Sequence, residues 1–216
     1  MNATPPRHPK ASPIQPRAGL EVDTDEVVYA EHFALQRISF RHARFNGTPS
    51  RTMVRELWRR GAGVGILPYD PRTDRVGLIE QFRLPAHAAG LDPVQTELPA
   101  GLLDSGEDPG AAALRELAEE TGLVSRALER IGTFLLLPGG CDEVVHFFCA
   151  HVDLPDTAGG TYGLASEDEE TRLSIVPAED AFRLVAENRL DGAPTALALL
   201  WLQLHRAALR QQWISA

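Results

Sequence analysis

The sequence predicts an α/β fold in which helices sandwich a mixed β-sheet, with an antiparallel β arm ahead of it. Three observations carry this. The first half alternates short apolar or mixed runs with Pro, Gly and Asn turn signals. One central segment and the C-terminal part have helical spacing instead. The order of these segments leaves few βαβ units, which favours a mixed sheet over a parallel one.

Taken in order, "MNATPPRHPKASPIQPRAG" is rich in proline and basic residues and predicts a disordered leader, residues 1–19. It has no apolar h-region, so it does not read as a secretory signal. Residues 20–60 read as a meander of strands, with Asn46-Gly47 as a hairpin turn because both residues tolerate positive φ. Many positions in this arm are polar or charged, as expected of a sheet that is solvated on one face or packs on a partner. Residues 61–216 form the main domain. "GAGVGILPYD" and "RVGLIEQFRL" read as a hairpin closed by the turn "DPRTD", and "VQTELPAG" as a short extended piece. "ALERIGTFLLLPGG" and "DEVVHFFCAHVDL" read as two strands split by Pro138-Gly139-Gly140, and "ASEDEETRLSIVP" as an acidic loop entering a strand. "PAEDAFRLVAENRL" and "PTALALLWLQLHRAALRQQW" are helical, the first with Pro177 and acids at its start.

The bulk properties exclude several classes. The 216 residues, 44% of them hydrophobic, suffice for one core. A net charge of −9 argues against a broad nucleic-acid or anionic-membrane surface. An acidic protein that handles a phosphorylated substrate then needs local arginines or a metal cation. No apolar run approaches the ~20 residues of a membrane span. The two cysteines, Cys141 and Cys149, make no CxxC pair and no metal spacing. On one strand they would share a face yet lie too far apart to bridge, so they read as reduced thiols of a cytoplasmic protein.

The segment "GLLDSGEDPGAAALRELAEETGL", residues 101–123, carries the chemistry. Asp108-Pro109 is a helix start and Gly122 a stop. A 100° step per residue sets Leu114, Leu117, Ala118 and Thr121 on one side, expected to be the packed one, and Arg115, Glu116, Glu119 and Glu120 on the other. Like charges three and four apart repel, at about 0.2–0.5 kcal/mol per pair. An ordinary solvated face with an Arg115–Glu119 pair is one reading. A cation site is the other, because Glu116 and Glu120 point the same way one turn apart and hard divalent cations take carboxylate oxygens.

The wider spacing decides between them. Gly101 is followed after five residues by Glu107, after seven more by Arg115-Glu116-Leu117, then by Glu119-Glu120 and Gly122-Leu123. This resembles the Nudix box at every defining position. The similarity extends to "FNG", "VRELWRRG", "LIEQFR", "LPAG", "LPGGCDE", "GLASEDEETR" and the closing helix, which together resemble the bacterial ADP-ribose pyrophosphatases of that superfamily. Pro138 stands where that group carries its marker for ADP-ribose preference.

The resemblance implies an α/β/α sandwich and Mg²⁺-dependent hydrolysis of the diphosphate of ADP-ribose to AMP and ribose 5-phosphate, with Mn²⁺ as the alternative ion. Another ADP-sugar, a GDP-sugar or NADH is the alternative substrate. A non-catalytic ADP-ribose sensor is disfavoured by the intact box, the acidity and the absence of a helix-turn-helix signal. It implies that Glu116, Glu119 and Glu120 bind metal, with the Ala100 carbonyl and Glu169. Arg115 orients the glutamates, Glu107 braces loop and helix, Gly101 makes the tight turn and Gly122 ends the helix. Glu167 aligns with the general base, although Asp168, Glu169 and Glu170 crowd it. Arg55 and Arg83 match diphosphate or adenine contacts, and His32 a stacking position, while its neighbour Phe33 reads as core. Glu143 is a substrate or structural group. The resemblance also implies a homodimer with exchanged N-terminal strands, its sites shared between subunits.

Overall fold

The computed structural model describes residues 12–157, 159–164, 166 and 168–214. The chain divides into two compact units. The first comprises residues up to 62 with 102–106 and 134–145, and the second 63–101, 107–133 and 146–216. Two later segments thus join the N-terminal residues in the first unit.

The first unit holds an antiparallel sheet, β1 (Leu20–Ala30), β2 (Ala34–His42) and β3 (Met53–Arg59), in the order β1-β2-β3. The predicted turn closes β2 onto β3. Gly47 has φ 80°, Arg44 N–H donates to the Thr48 carbonyl at 2.8 Å, and Asn46 Oδ1 accepts from Thr48 N–H at 3.0 Å. Irregularities in β1 at Val22/Thr24 and Val27/Tyr29 break its alternation. Ser12 and Ile14, assigned by sequence to the leader, are tied to this sheet: Ile14 N–H donates to Asp25 at 2.8 Å and Arg59 to the Ser12 carbonyl at 2.6 Å.

The main sheet runs β10-β11-β5-β4-β9-β8, with β6 paired to β5 and β7 to β4. Its strands are β4 (Ala62–Asp70), β5 (Arg75–Phe82), β6 (Val94–Glu97), β7 (Ala100–Leu102), β8 (Ala127–Leu135), β9 (Val144–His151), β10 (Thr161–Tyr162) and β11 (Thr171–Pro177). β4 lies between β5 and β9 and is buried on both faces, which is why its sequence reads as one apolar run rather than an alternation. One expectation is corrected beside it. The strand read as continuing to Leu84 ends at Phe82, and helix α1 (Leu84–Ala88) begins there, because Pro85 in its first turn suits a helix start and cannot donate to a ladder.

Helix α2 (Pro109–Thr121) packs on β10 and β11. Helices α3 (Ala178–Ala186) and α4 (Ala193–Ile214) close the core, with Leu199, Leu202 and Trp213 buried. A polar staple fastens α4 to the β4–β5 turn. Asp74 receives Arg206, Arg210 at 3.1 Å and the Tyr69 hydroxyl at 2.8 Å, and Arg206 also reaches Glu179 at 2.9 Å. The two cysteines are free and buried, and Cys141 precedes β9 rather than sharing it with Cys149.

Candidate active site

Helix α2 begins and ends as its sequence requires. Asp108 Oδ1 accepts from Ala111 N–H at 3.0 Å, and Gly122 caps the C-terminus at φ 67°. The packed face differs from the expected one. Leu114 is 40% exposed and Ala118 faces solvent, while Glu116 and Glu120 are buried at 5% and 0% alongside Ala113, Leu117 and Thr121. The buried arc is rotated toward the acids, because the helix lies on strands that present polar partners to them.

Those partners are specific. The Ala100 N–H of β7 donates to Glu120 Oε2 at 2.9 Å, so Ala100 meets Glu120 through its amide. The Thr171 hydroxyl of β11 donates to the Glu120 carbonyl at 2.9 Å, and Gly163 N–H to that of Glu119 at 3.1 Å. Both carbonyls belong to the last turn and have no partner within the helix. Arg115 clamps Glu107 with two donors, at 3.0 and 3.2 Å, and spans Glu116 at 2.7 Å and Glu119 at 3.1 Å. Gly101 is required for a steric reason: a Cβ built there would overlap the Glu116 carboxylate. At Gly122 a Cβ would sit 2.8 Å from the Tyr162 ring, so this tyrosine closes over the helix cap.

The electrostatics follow from this burial. Burial pushes the Glu120 carboxyl up to about 9, against the Ala100 hydrogen bond and with help from Glu169 and Glu116. Burial also raises Glu116, opposed by Arg115 and reinforced by Glu119 and Glu169. Glu120 Oε1 is buried and finds no hydrogen-bond partner among the described residues. A buried carboxylate oxygen left in this way is costly unless a proton or a cation meets it. The donor set of carboxylates suits a hard divalent ion. Among the described residues no three Asp, Glu, His or Cys side chains already converge on one point. Arg115 holds two of the carboxylates meanwhile.

An open cleft of about 640 Å³ is lined by Glu80, Gln81, Phe82, Val94, Glu169 and Arg172 among others; Glu116, Glu119 and Glu120 do not line it, and it adjoins their helix through Thr171, whose hydroxyl holds the Glu120 carbonyl. Glu169 enters it from the loop before β11, and Gln81 Nε2 donates to its Oε1 at 3.0 Å. Glu167 lies outside the described residues, while its neighbours Asp168 and Glu170 line the cleft. Arg83 precedes α1, pairs with Glu97 at 2.8 Å and lowers the Glu120 pKa through its charge.

The remaining sequence-predicted residues belong to the first unit. Arg55 is exposed on β3, its Nη1 donating to the Val54 carbonyl at 2.8 Å. His32 is exposed and edge-on to Phe33, ring centroids 4.4 Å apart. Phe33, read as core, instead lies edge-on to Trp58 under the Arg60 guanidinium. Glu143 pairs with Arg60 at 2.8 Å. Sequence reasoning passed over Gln81, Thr171, Gly163 and Tyr162. Only Gln81 left a signal, as a polar residue two positions past the buried Ile79 of the same strand.

Residues 59–198 match the NUDIX domain. The chain is 39% identical over 194 residues to an ADP-ribose pyrophosphatase of Escherichia coli (strain K12), covering 90% of this chain and 92% of that one. It is 36% identical to the ADP-ribose pyrophosphatase of Haemophilus influenzae, covering 90% of each. A GDP-mannose pyrophosphatase of Yersinia enterocolitica is 32% identical, over 83% of this chain and 93% of that one. The crystal structure of an ADP compounds hydrolase shares the fold with a TM-score of 0.66 at 22% identity, covering 92% of this chain and 98% of that one.

Proposed function

The chain belongs to the Nudix family, and from that premise we propose that it hydrolyses the diphosphate of ADP-ribose to AMP and ribose 5-phosphate, with Mg²⁺, or alternatively Mn²⁺, as its cofactor. The observation that carries this reading is the buried pair Glu116 and Glu120, one helical turn apart, with a Glu120 oxygen that meets no donor among the described residues. The names of the 39% and 36% identical relatives supply the substrate.

Glu116, Glu119, Glu120 and Glu169 would hold the ion, with the Ala100 carbonyl. Once bound, a divalent cation supplies charge neutralisation at the diphosphate oxygens and a more acidic attacking water. The protein's own groups do the rest. Arg115 fixes Glu116 and Glu119 in place and is itself fixed by Glu107. Gly101 leaves the space that the Glu116 carboxylate fills. Arg83 keeps unspent N–H donors for the diphosphate after pairing with Glu97, and Arg55 is assigned the same substrate. His32 stacks on the adenine, and Glu143 serves as a substrate group or, through its pair with Arg60, a structural one. The base that takes the water's proton is Glu167, with Glu169 as the alternative on the same loop. A cytoplasmic homodimer completes the reading. No helix of the described residues is long and apolar enough to cross a membrane.

The test is a substrate panel of ADP-ribose, other ADP-sugars, GDP-mannose and NADH, each with Mg²⁺ and with Mn²⁺. ADP-ribose is expected to give the highest kcat/KM, with AMP and ribose 5-phosphate as products. Similarity to a GDP-mannose pyrophosphatase makes a GDP-sugar the second reading. Good turnover of GDP-mannose beside poor turnover of ADP-ribose would establish that reading instead.

A further inference from the structure

Gln81 is a polar side chain in a buried place. It is 9% exposed on β5, and its Nε2 donates to Glu169 Oε1 at 3.0 Å. An ionised carboxylate only accepts hydrogen bonds, so the amide nitrogen must face it and the amide oxygen must point away. That oxygen is buried and has no donor among the described residues. An amide at this position has a consequence that other side chains would not. Arginine or lysine would cancel the charge of Glu169, and an apolar residue would leave the carboxylate free to swing toward solvent. A neutral donor fixes the direction of the carboxylate and leaves its charge whole.

The backbone at Glu169 is held separately. Its N–H donates to the Leu164 carbonyl at 3.3 Å, and it packs so close to Gly163 that a Cβ there would lie 2.5 Å from the Glu169 carbonyl oxygen. Gly163 in turn is hydrogen-bonded to Glu119. Loop and metal helix are therefore joined through the main chain, and Gln81 supplies the side-chain restraint. Glu169 is close enough to bear on the charge of both Glu116 and Glu120.

Resting on the hydrolase reading above, we propose that Gln81 is a positioning residue: it holds the Glu169 carboxylate in the acidic cleft and thereby strengthens the binding of a divalent cation there. The test measures Mn²⁺ binding to the metal-free full chain, by calorimetry and by the Mn²⁺ paramagnetic resonance signal, without nucleotide. Gln81→Met and Glu169→Gln should each raise the Mn²⁺ dissociation constant by roughly tenfold or more, as loss of an outer hydrogen bond to a metal ligand does. The double variant should be no weaker than Glu169→Gln alone, because both changes remove the same ligand. In turnover, excess Mn²⁺ should restore the kcat of Gln81→Met with KM for ADP-ribose unchanged. Gln81→Asn keeps the buried amide but falls a methylene short of Glu169, and it serves if the methionine variant does not fold.

Wild-type Mn²⁺ affinity in Gln81→Met, Gln81→Asn or Glu169→Gln would overturn the inference, as would a double variant weakened by the product of the single effects. Those outcomes leave the hydrolase reading standing if the wild-type protein binds Mn²⁺ and cleaves ADP-ribose. A wild-type protein that does neither overturns both.

Discussion

At the scale of single residues, the proposed site rests on two acids that are buried rather than displayed. Glu120 is fully buried and its carboxyl is pushed up to about 9, so glutamine mimics the protonated form in size and shape. Glu120→Gln should therefore fold as the parent does, with an unchanged circular dichroism spectrum. Turnover should drop by about 10³-fold or more, the scale of losing one preorganised electrostatic group. Near-parental turnover would remove Glu120 from the metal site. His151 offers a pH test away from the site. It is 7% exposed, stacked on Trp213 with ring centroids 5.1 Å apart, and its Nε2 meets no partner among the described residues. Burial lowers its pKa, helped by Arg126 and Arg72 against Asp153 and Asp70. The unfolded chain then takes up this proton below about 6.5, where the folded one resists it. The His151 contribution is complete above that pH and is lost as pH falls toward the depressed folded value. His151→Phe should flatten the fall in melting temperature between pH 7 and pH 5; an unchanged slope would assign the acid sensitivity elsewhere.

At the scale of elements, α2 is held by both ends and by the strands beneath its acids. Asp108→Ala should destabilise the protein by about 1 kcal/mol, the usual value of an N-cap. Gly122→Ala should cost more, since it combines a left-handed backbone, about 1–2 kcal/mol for a residue with a Cβ, with a Cβ 2.8 Å from the Tyr162 ring. Chemical denaturation of the two variants should rank them in that order, and equal losses would mean that Tyr162 moves aside freely. The helix boundaries were legible because capping is local chemistry. The rotation of its packed face was not. A glutamate buried against a backbone amide and a threonine next to a strand carries no periodic signal, and an exposed Leu114 looks like core in a helical wheel.

At the scale of the whole molecule, the first unit leaves several large apolar side chains exposed. Val27, Val28 and Tyr29 on β1 are 50%, 51% and 60% exposed, and Val54 and Trp58 on β3 are also exposed. Tyr29 and Trp58 share one face of the sheet through their common neighbour Leu35, and covering that face with a second chain suits the proposed homodimer. Sedimentation should give a dimer, and Val28→Asp combined with Tyr29→Asp should shift it toward monomer with loss of activity. A stable and fully active monomer would refute a site shared between subunits.

By itself the sequence determined the order of the longer strands and helices, though not α1 or β10, the limits of α2, the Asn46-Gly47 turn and the acids Glu107, Glu116 and Glu119 that Arg115 gathers. Each of these depends on neighbours a few positions apart, where spacing is geometry. Only the tertiary structure decided that Glu116 and Glu120 face inward, that Ala100 and Thr171 meet Glu120, that Tyr162 covers Gly122 and that Gln81 holds Glu169. Those pairings join residues far apart in the chain. They are set by how strands and helix pack, and a hydrogen bond of that kind requires only one donor and one acceptor, which nearly every segment can provide.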